Sequence, residues 1–242
     1  MKRRFFLKSI SLGSLLAGYA ATGAALGAVT LIRPDKDSVL LVVDVQNCFT
    51  PGGSLPVQDG DAVVPVINRL GRAFENVVMT QDWHPRGHIS FASSHPGKKP
   101  FDTVTLSYGT QVLWPDHCLQ GSTDAELRRD LNLPQAQLVV RKGYHKDVDS
   151  YSAFMEADGH TSTGLAAYLK VHGIKRVFVT GLATDFCVAN TAIDARTAGF
   201  EVYVVEDATR GVNLNGSLAQ AWTAMRQAGV QRIQSQDIAL PA

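Results

Sequence analysis

The chain is short of cysteine, of charge, and of any acidic residue before Asp35, and each shortage removes a class of protein. Three cysteines, Cys48, Cys118 and Cys187, are odd in number and too few for a small disulfide scaffold. The expectation is therefore free thiols, with a Cys48–Cys118 bridge disfavoured. Charged residues make up 19% and the net charge is +1 at pH 7, which gives no basic surface for nucleic acid. No G-x-G-x-x-G follows the first apolar run, so a dinucleotide-binding unit is disfavoured. There is no internal repeat and no sign of a second globular domain. What is present is 45% hydrophobic residues in 242, enough for one domain with a sizeable core plus a leader.

The first 34 residues read as that leader, and residues 35–242 as the domain. Lys2, Arg3, Arg4 and Lys8 form a basic start, and Arg3-Arg4-Phe5-Phe6-Leu7-Lys8 resembles a twin-arginine export signal. Ser9 to Ile32 then carries no charge and is rich in Ala, Gly, Leu and Ser. Cleavage at a small-x-small site such as Gly18-Tyr19-Ala20 or Ala25-Leu26-Gly27 is one fate. An uncleaved signal anchor is the other, since about 20 apolar residues span a bilayer. Either way the expected location is periplasmic or exported, with membrane contact only through this leader.

From Ser38 onward strands and helices alternate. Val39 to Val43 is a wholly apolar run ending at Asp44, and Val77 to Thr80 leads to Asp82. Gln137 to Arg141 ends at Lys142, and Val177 to Thr180 is followed by Gly181 and, a few residues on, Cys187. Val202 to Glu206 and Gln231 to Gln234 complete the strands. Helices are expected over Asp61–Phe74, Ala125–Leu131, Thr163–His172, from a cap at Thr184 or Asp185 to Thr197, and over Ser217–Ala228. The pattern predicts an α/β fold: a three-layer α/β/α sandwich around a mostly parallel, roughly six-stranded, doubly wound sheet. The connection from Trp83 to Cys118, dense in Pro, Gly, Ser and His, is too long to be idle and is expected to be functional.

In such sheets ligands bind beyond the carboxyl ends of the strands. Asp44, Asp82, Lys142 and Cys187 each follow a different strand and so share one rim. A thiol in the first turn of a helix meets unpaired N–H groups and the helix dipole, both of which favour a thiolate nucleophile. A buried structural cysteine is the alternative. Asp44 is suited to take the thiol proton and Lys142 to hold charge beside it. Backbone N–H groups of the Ala183–Cys187 turn supply an oxyanion hole. Asp82 and His84, with His88 four residues on and His117 across the long connection, form a second set. Two histidines and a carboxylate suit Zn²⁺, Fe²⁺ or Mn²⁺.

Taken in order, Val43-Asp44-Val45-Gln46-Asn47-Cys48-Phe49, Gln81-Asp82-Trp83-His84-Pro85, Trp114-Pro115-Asp116-His117-Cys118, Arg141-Lys142-Gly143, Asp149-Ser150-Tyr151-Ser152 and Gly181-Leu182-Ala183-Thr184-Asp185-Phe186-Cys187-Val188 resemble the nicotinamidases (nicotinamide and pyrazinamide deamidases) of the isochorismatase-like cysteine hydrolases. The resemblance covers nearly everything after Ser38. It implies an Asp44/Lys142/Cys187 triad and one divalent metal, Zn²⁺ foremost, on Asp82, His84 and His117. Phe49 and Trp114 would sandwich the substrate ring, Tyr151 would close the pocket, and a cis Leu182–Ala183 peptide would aim the Ala183 N–H at the oxyanion. His88 stands where some relatives have a further ligand. The implied reaction is hydrolysis of nicotinamide to nicotinate and ammonia through a thioester, in salvage of the pyridine ring for NAD. Carbamoylsarcosine-type amidases lack the metal set and isochorismatases lack the cysteine. A non-haem iron oxygenase leaves Cys187 and Lys142 without work, and a pyridine-binding protein would not need Cys187. No nucleic-acid partner is expected, and whether the chain forms a homo-oligomer stays open.

Overall fold

The central apolar runs pair side by side because each has apolar residues on both faces and so must be covered twice, and shorter, more exposed strands close the two edges. The computed structural model describes residues 31–241. Strand β1 (Ser38–Val43) is buried at every position. It lies between β2 (Asn76–Asp82) and β6 (Arg176–Leu182), parallel to both. Strand β5 (Leu138–Lys142) adds parallel to β2 on one side. On the other side follow β7 (Glu201–Arg210) and β8 (Gln231–Ile233), also parallel. The order β5-β2-β1-β6-β7-β8 reverses direction between β1 and β6. That is the switch point where the rule for open sheets places a ligand crevice.

Successive β1 side chains alternate between two cores, as the strand period requires. Leu40 and Val42 pack with Ile67 and Leu70 of α1 (Val63–Gly71). Val39, Leu41 and Val43 face the other way. There they meet Leu165 and Leu169 of α2 (Leu165–Val171), Ala192 and Ala195 of α3 (Ala189–Thr197), and Met225 of α4 (Ser217–Gln227). Three layers result, as expected. Gly181 lets β6 approach β1: with φ +104, a Cβ there would lie 2.0 Å from the Val43 carbonyl oxygen. Within the long connection, β3 (Thr103–Leu106) and β4 (Gly109–Val112) form a separate antiparallel hairpin.

Three local expectations are corrected. The Ala125–Leu131 stretch is not helical: a single turn at Thr123–Ala125 gives way to extended chain. There Glu126 O accepts from Asn47 N and Arg128 N donates to Val45 O, so tertiary pairing takes the bonds a helix would have used. Neither Thr184 nor Asp185 caps a helix; the helix start is a wider turn, Thr184–Val188, closed from Val188 N to Ala183 O. The buried Asp185 carboxylate instead accepts from Val212 N at 2.9 Å, Asn213 N at 2.7 Å and the Ser217 hydroxyl. Lastly, Cys48 and Cys118 are bonded to each other, leaving Cys187 as the free cysteine. Their Cα atoms lie 5.5 Å apart only because two loops meet, 70 residues apart in the chain.

The leader lies almost wholly outside the described residues. Ile32 is within them and pairs with the C-terminal segment, its N–H donating to Asp237 O and its carbonyl accepting from Ala239 N. Among the described residues no helix is long and apolar enough to cross a membrane.

Candidate active site

The carboxyl ends of four strands bring together the four side chains that share the rim. Asp44 follows β1 with φ 48, a left-handed conformation that Asp and Asn tolerate better than most residues. Its N–H donates to Thr80 Oγ1, and the Thr80 hydroxyl donates back to Asp44 Oδ1 at 2.5 Å. Lys142, at the end of β5, is fully buried. Its Nζ donates to Asp82 Oδ1 at 2.5 Å, Ser150 O at 3.1 Å and Cys187 Sγ at 3.3 Å. Those three bonds take all three ammonium protons. Asp44 Oδ2 lies 2.8 Å from the same nitrogen yet accepts no directed hydrogen bond. That oxygen is ion-paired with the ammonium and stands beside the thiol. Ligand atoms of Asp44, Asp82 and Cys187 all fall within 4.8 Å of one another.

Burial sets the charges here. It pushes the Asp44 carboxyl up from its ordinary value, and the attraction of Lys142 recovers only part of that. Burial also works against the Lys142 ammonium, but Asp44 and Asp82 outweigh it and hold the amine well above its usual range. For Asp82 the balance goes the other way: despite burial, Lys142 and the two histidines keep it well below the carboxylate range. Burial pushes the Cys187 thiol far up, and Lys142 pulls it only partly back. The helix position favours the thiolate and burial opposes it, with Lys142 recovering part of that cost.

His84 Nε2 and His117 Nε2 point at the same oxygen, Asp82 Oδ2, from 3.3 and 3.6 Å. Each ring donates its other nitrogen to a backbone carbonyl: His84 Nδ1 to Gly143 O and His117 Nδ1 to Pro115 O, both at 2.8 Å. Those bonds fix the tautomers and leave two Nε2 lone pairs and a carboxylate oxygen converging, which is how metal-ligating imidazoles are oriented. The donors fit one divalent cation of the zinc, iron or manganese kind. Gly143 is required for this, since with φ +65 a Cβ there would stand 2.5 Å from His84 Cε1. His88 has both nitrogens committed, Nε2 donating to Val148 O and Nδ1 accepting from Ser90. Its ring lies against His84, centroids 4.2 Å apart, and backs that ligand as a wall.

Above these groups opens a small crevice lined by Phe49, Trp114, Tyr151, Ala183 and Cys187 together with Asp82, His84 and His117. Every sequence-predicted site residue except Asp44 and Lys142 faces it; those two lie beneath, behind the sulfur. Leu182–Ala183 is a cis peptide. Sequence reasoning missed Phe186, Asp149, Leu55 and Val212 on the walls. Phe186 adjoins Cys187 and meets Trp114 edge-on at 4.8 Å, so its place beside that cysteine was the available signal. Asp149 was visible only as the first residue of a matching segment.

Comparison with known proteins follows the same outline. The isochorismatase domain family matches residues 38–237. The chain is 62% identical over 207 residues to the nicotinamidase of Acinetobacter baylyi, covering 86% of this chain and 97% of that one. Among solved structures, a nicotinamidase/pyrazinamidase of Acinetobacter baumannii superposes with TM-score 0.83 at 62% identity, over 84% of this chain and 98% of that one. A pyrazinamidase of Pyrococcus horikoshii in complex with zinc does so with TM-score 0.67 at 35% identity, over 82% and 99%.

Proposed function

Because the chain belongs to the nicotinamidase branch of the isochorismatase-domain family of hydrolases, we propose that it hydrolyses nicotinamide, and pyrazinamide likewise, to the acid and ammonia through a thioester on Cys187. One observation carries the reading: a buried thiol beside a carboxylate that is ion-paired with a buried lysine, at the floor of an aromatic slot.

The chemistry follows from those positions. The Cys187 proton passes to Asp44 Oδ2 as the sulfur bonds to the amide carbonyl carbon. The oxygen that becomes negative is received by the backbone N–H groups of Ala183 and Cys187. Collapse breaks the C–N bond, and Asp44 returns its proton to the leaving nitrogen, which departs as ammonia. A water then gives a proton to Asp44 and its oxygen to the thioester carbon. The sulfur leaves as thiolate and recovers that proton. Lys142, cationic throughout, offsets the negative charge that travels between sulfur and carboxylate. Phe49, Trp114 and Tyr151 hold the ring. One divalent cation on Asp82, His84 and His117 would supply a Lewis acid to bind the ring nitrogen and so orient the carboxamide. An ammonia assay with nicotinamide, with and without a chelator, tests the reading: release that a chelator suppresses is expected, and no release from the metal-loaded enzyme refutes it.

For location, the reading is export by the twin-arginine route, with salvage of external nicotinamide as its purpose. The buried Cys48–Cys118 bond supports it, since structural disulfides persist in oxidising compartments. Fractionation of cells carrying Arg3 and Arg4 or lysines in their place should show export of the first form alone. Equal cytoplasmic retention of both rules it out.

A further inference from the structure

The hairpin β3–β4 is the part of the long connection that the catalytic reading leaves without work. Its positions are exposed or half-exposed apart from Gln111, which is 2% exposed. Burying an amide is unfavourable unless its hydrogen bonds are met, and an apolar residue would anchor a hairpin at lower cost. The amide is met fully. Gln111 Nε2 donates to Val112 O at 2.7 Å, Asp149 Oδ2 at 2.7 Å and Tyr151 Oη at 3.0 Å, two protons shared among three acceptors. Two of the acceptors are carbonyl and carboxylate oxygens, so the nitrogen is correctly placed on that side. The amide oxygen accepts from the Tyr108 hydroxyl at 3.3 Å.

We propose that Gln111 is a positioning residue that sets the outer wall of the ring slot and thereby its selectivity for an unsubstituted ring. This rests on the function proposed above. The segment Asp149–Tyr151 is gripped from two sides. From within, Ser150 O accepts from the catalytic lysine. From without, Gln111 holds Asp149 and Tyr151, and Trp114 Nε1 donates to the same tyrosine oxygen at 2.9 Å. The aromatic edge of the slot is therefore pinned by one amide from an otherwise solvent-facing hairpin together with the Trp114 indole. Releasing it lets Tyr151 swing outward while the Lys142 contacts to Asp44 and Asp82 stay in place. Binding suffers and the chemical step does not.

Gln111→Met keeps the side-chain shape and removes the hydrogen bonds. The test is steady-state kinetics of metal-loaded wild type and variant on nicotinamide and on nicotinamides carrying a single ring methyl group. Expected is a KM for nicotinamide raised about tenfold, the size of one or two lost hydrogen bonds, with kcat within about threefold. The kcat/KM ratio of methylated to plain substrate rises by a similar factor. Tyr151→Phe removes the same bond from the other partner and keeps the ring, and it moves that ratio in the same direction. An unchanged ratio in both variants overturns the proposal, as does a fall in kcat at constant KM, which a purely structural role produces through lost folded enzyme. Wild type inactive on nicotinamide would instead bring down the functional reading on which the proposal stands.

Discussion

Replacing Asp44 by Asn separates catalysis from stability in a way that the geometry of the site makes quantitative. Asn tolerates the left-handed φ of 48. Its amide can turn so that the carbonyl oxygen faces Lys142 and the NH2 faces Thr80 Oγ1, at the cost of the acceptor that the buried Thr80 hydroxyl has in wild type. Lys142 keeps Asp82 and Ser150. Since burial outweighs Lys142 at Asp44 and raises its pKa, the site disfavours the carboxylate, and a neutral amide carries no such penalty. Stability should fall by about 2 kcal/mol or less, a Tm loss within about 8 °C. Activity is another matter. The variant has nothing to accept the Cys187 proton, and loss of a positioned base costs about 10²–10⁴ in rate. The pH dependence has a defined sign. A carboxyl whose folded pKa exceeds its unfolded value of 3.8 contributes stability that is full below 3.8 and lost as pH rises through the folded value. The Tm of Asp44→Asn relative to wild type should therefore climb as pH rises from 3.8. Thermal unfolding of chelator-treated proteins across that range, with ammonia release at pH 7, is the assay. Activity within tenfold of wild type, or a Tm loss of more than about 10 °C, refutes the reasoning.

Lys142→Met should do the reverse, leaving two buried carboxylates without their cation at a cost of about 3–5 kcal/mol, read as a Tm fall of about 10 °C or more along with lost activity. His84→Ala removes one of three converging donors, so metal bound per chain, measured by elemental analysis after dialysis, should fall well below that of wild type while the fold persists. Cys48→Ser opens a loop of 70 residues that the disulfide closes, which the chain-entropy account values at about 4 kcal/mol. The matching Tm drop, also seen on adding reductant to wild type, should leave the Asp44/Lys142/Cys187 contacts unaffected.

The sheet was legible because its central strands are buried on both faces. Runs such as Ser38–Val43 and Arg176–Leu182 have no polar alternation to confuse with a surface strand. From the sheet followed the rim, since Asp44, Asp82 and Lys142 stand at strand ends and the carboxyl ends point one way. Features made by loops meeting loops were not legible. Cys48 and Cys118 come together through two turns with no periodic signal, and Gln111 sits in a hairpin whose composition reads as ordinary surface. Ala125 to Leu131 read as a short helix, but local propensity lost to pairing with Val45–Asn47. The surroundings of Cys187 were legible only in part: sequence placed it at a helix start but could not say how deeply the site is buried, and burial pushes the thiol up.

Rapid acid quench of the wild-type enzyme during turnover of nicotinamide, followed by mass spectrometry of the peptide containing Cys187, tests the central claim most directly. The account predicts a nicotinoyl group bound to Cys187 in wild type, and neither adduct nor ammonia from Cys187→Ala. Turnover by Cys187→Ala at the wild-type rate, or an acyl group found on any other residue, would contradict it.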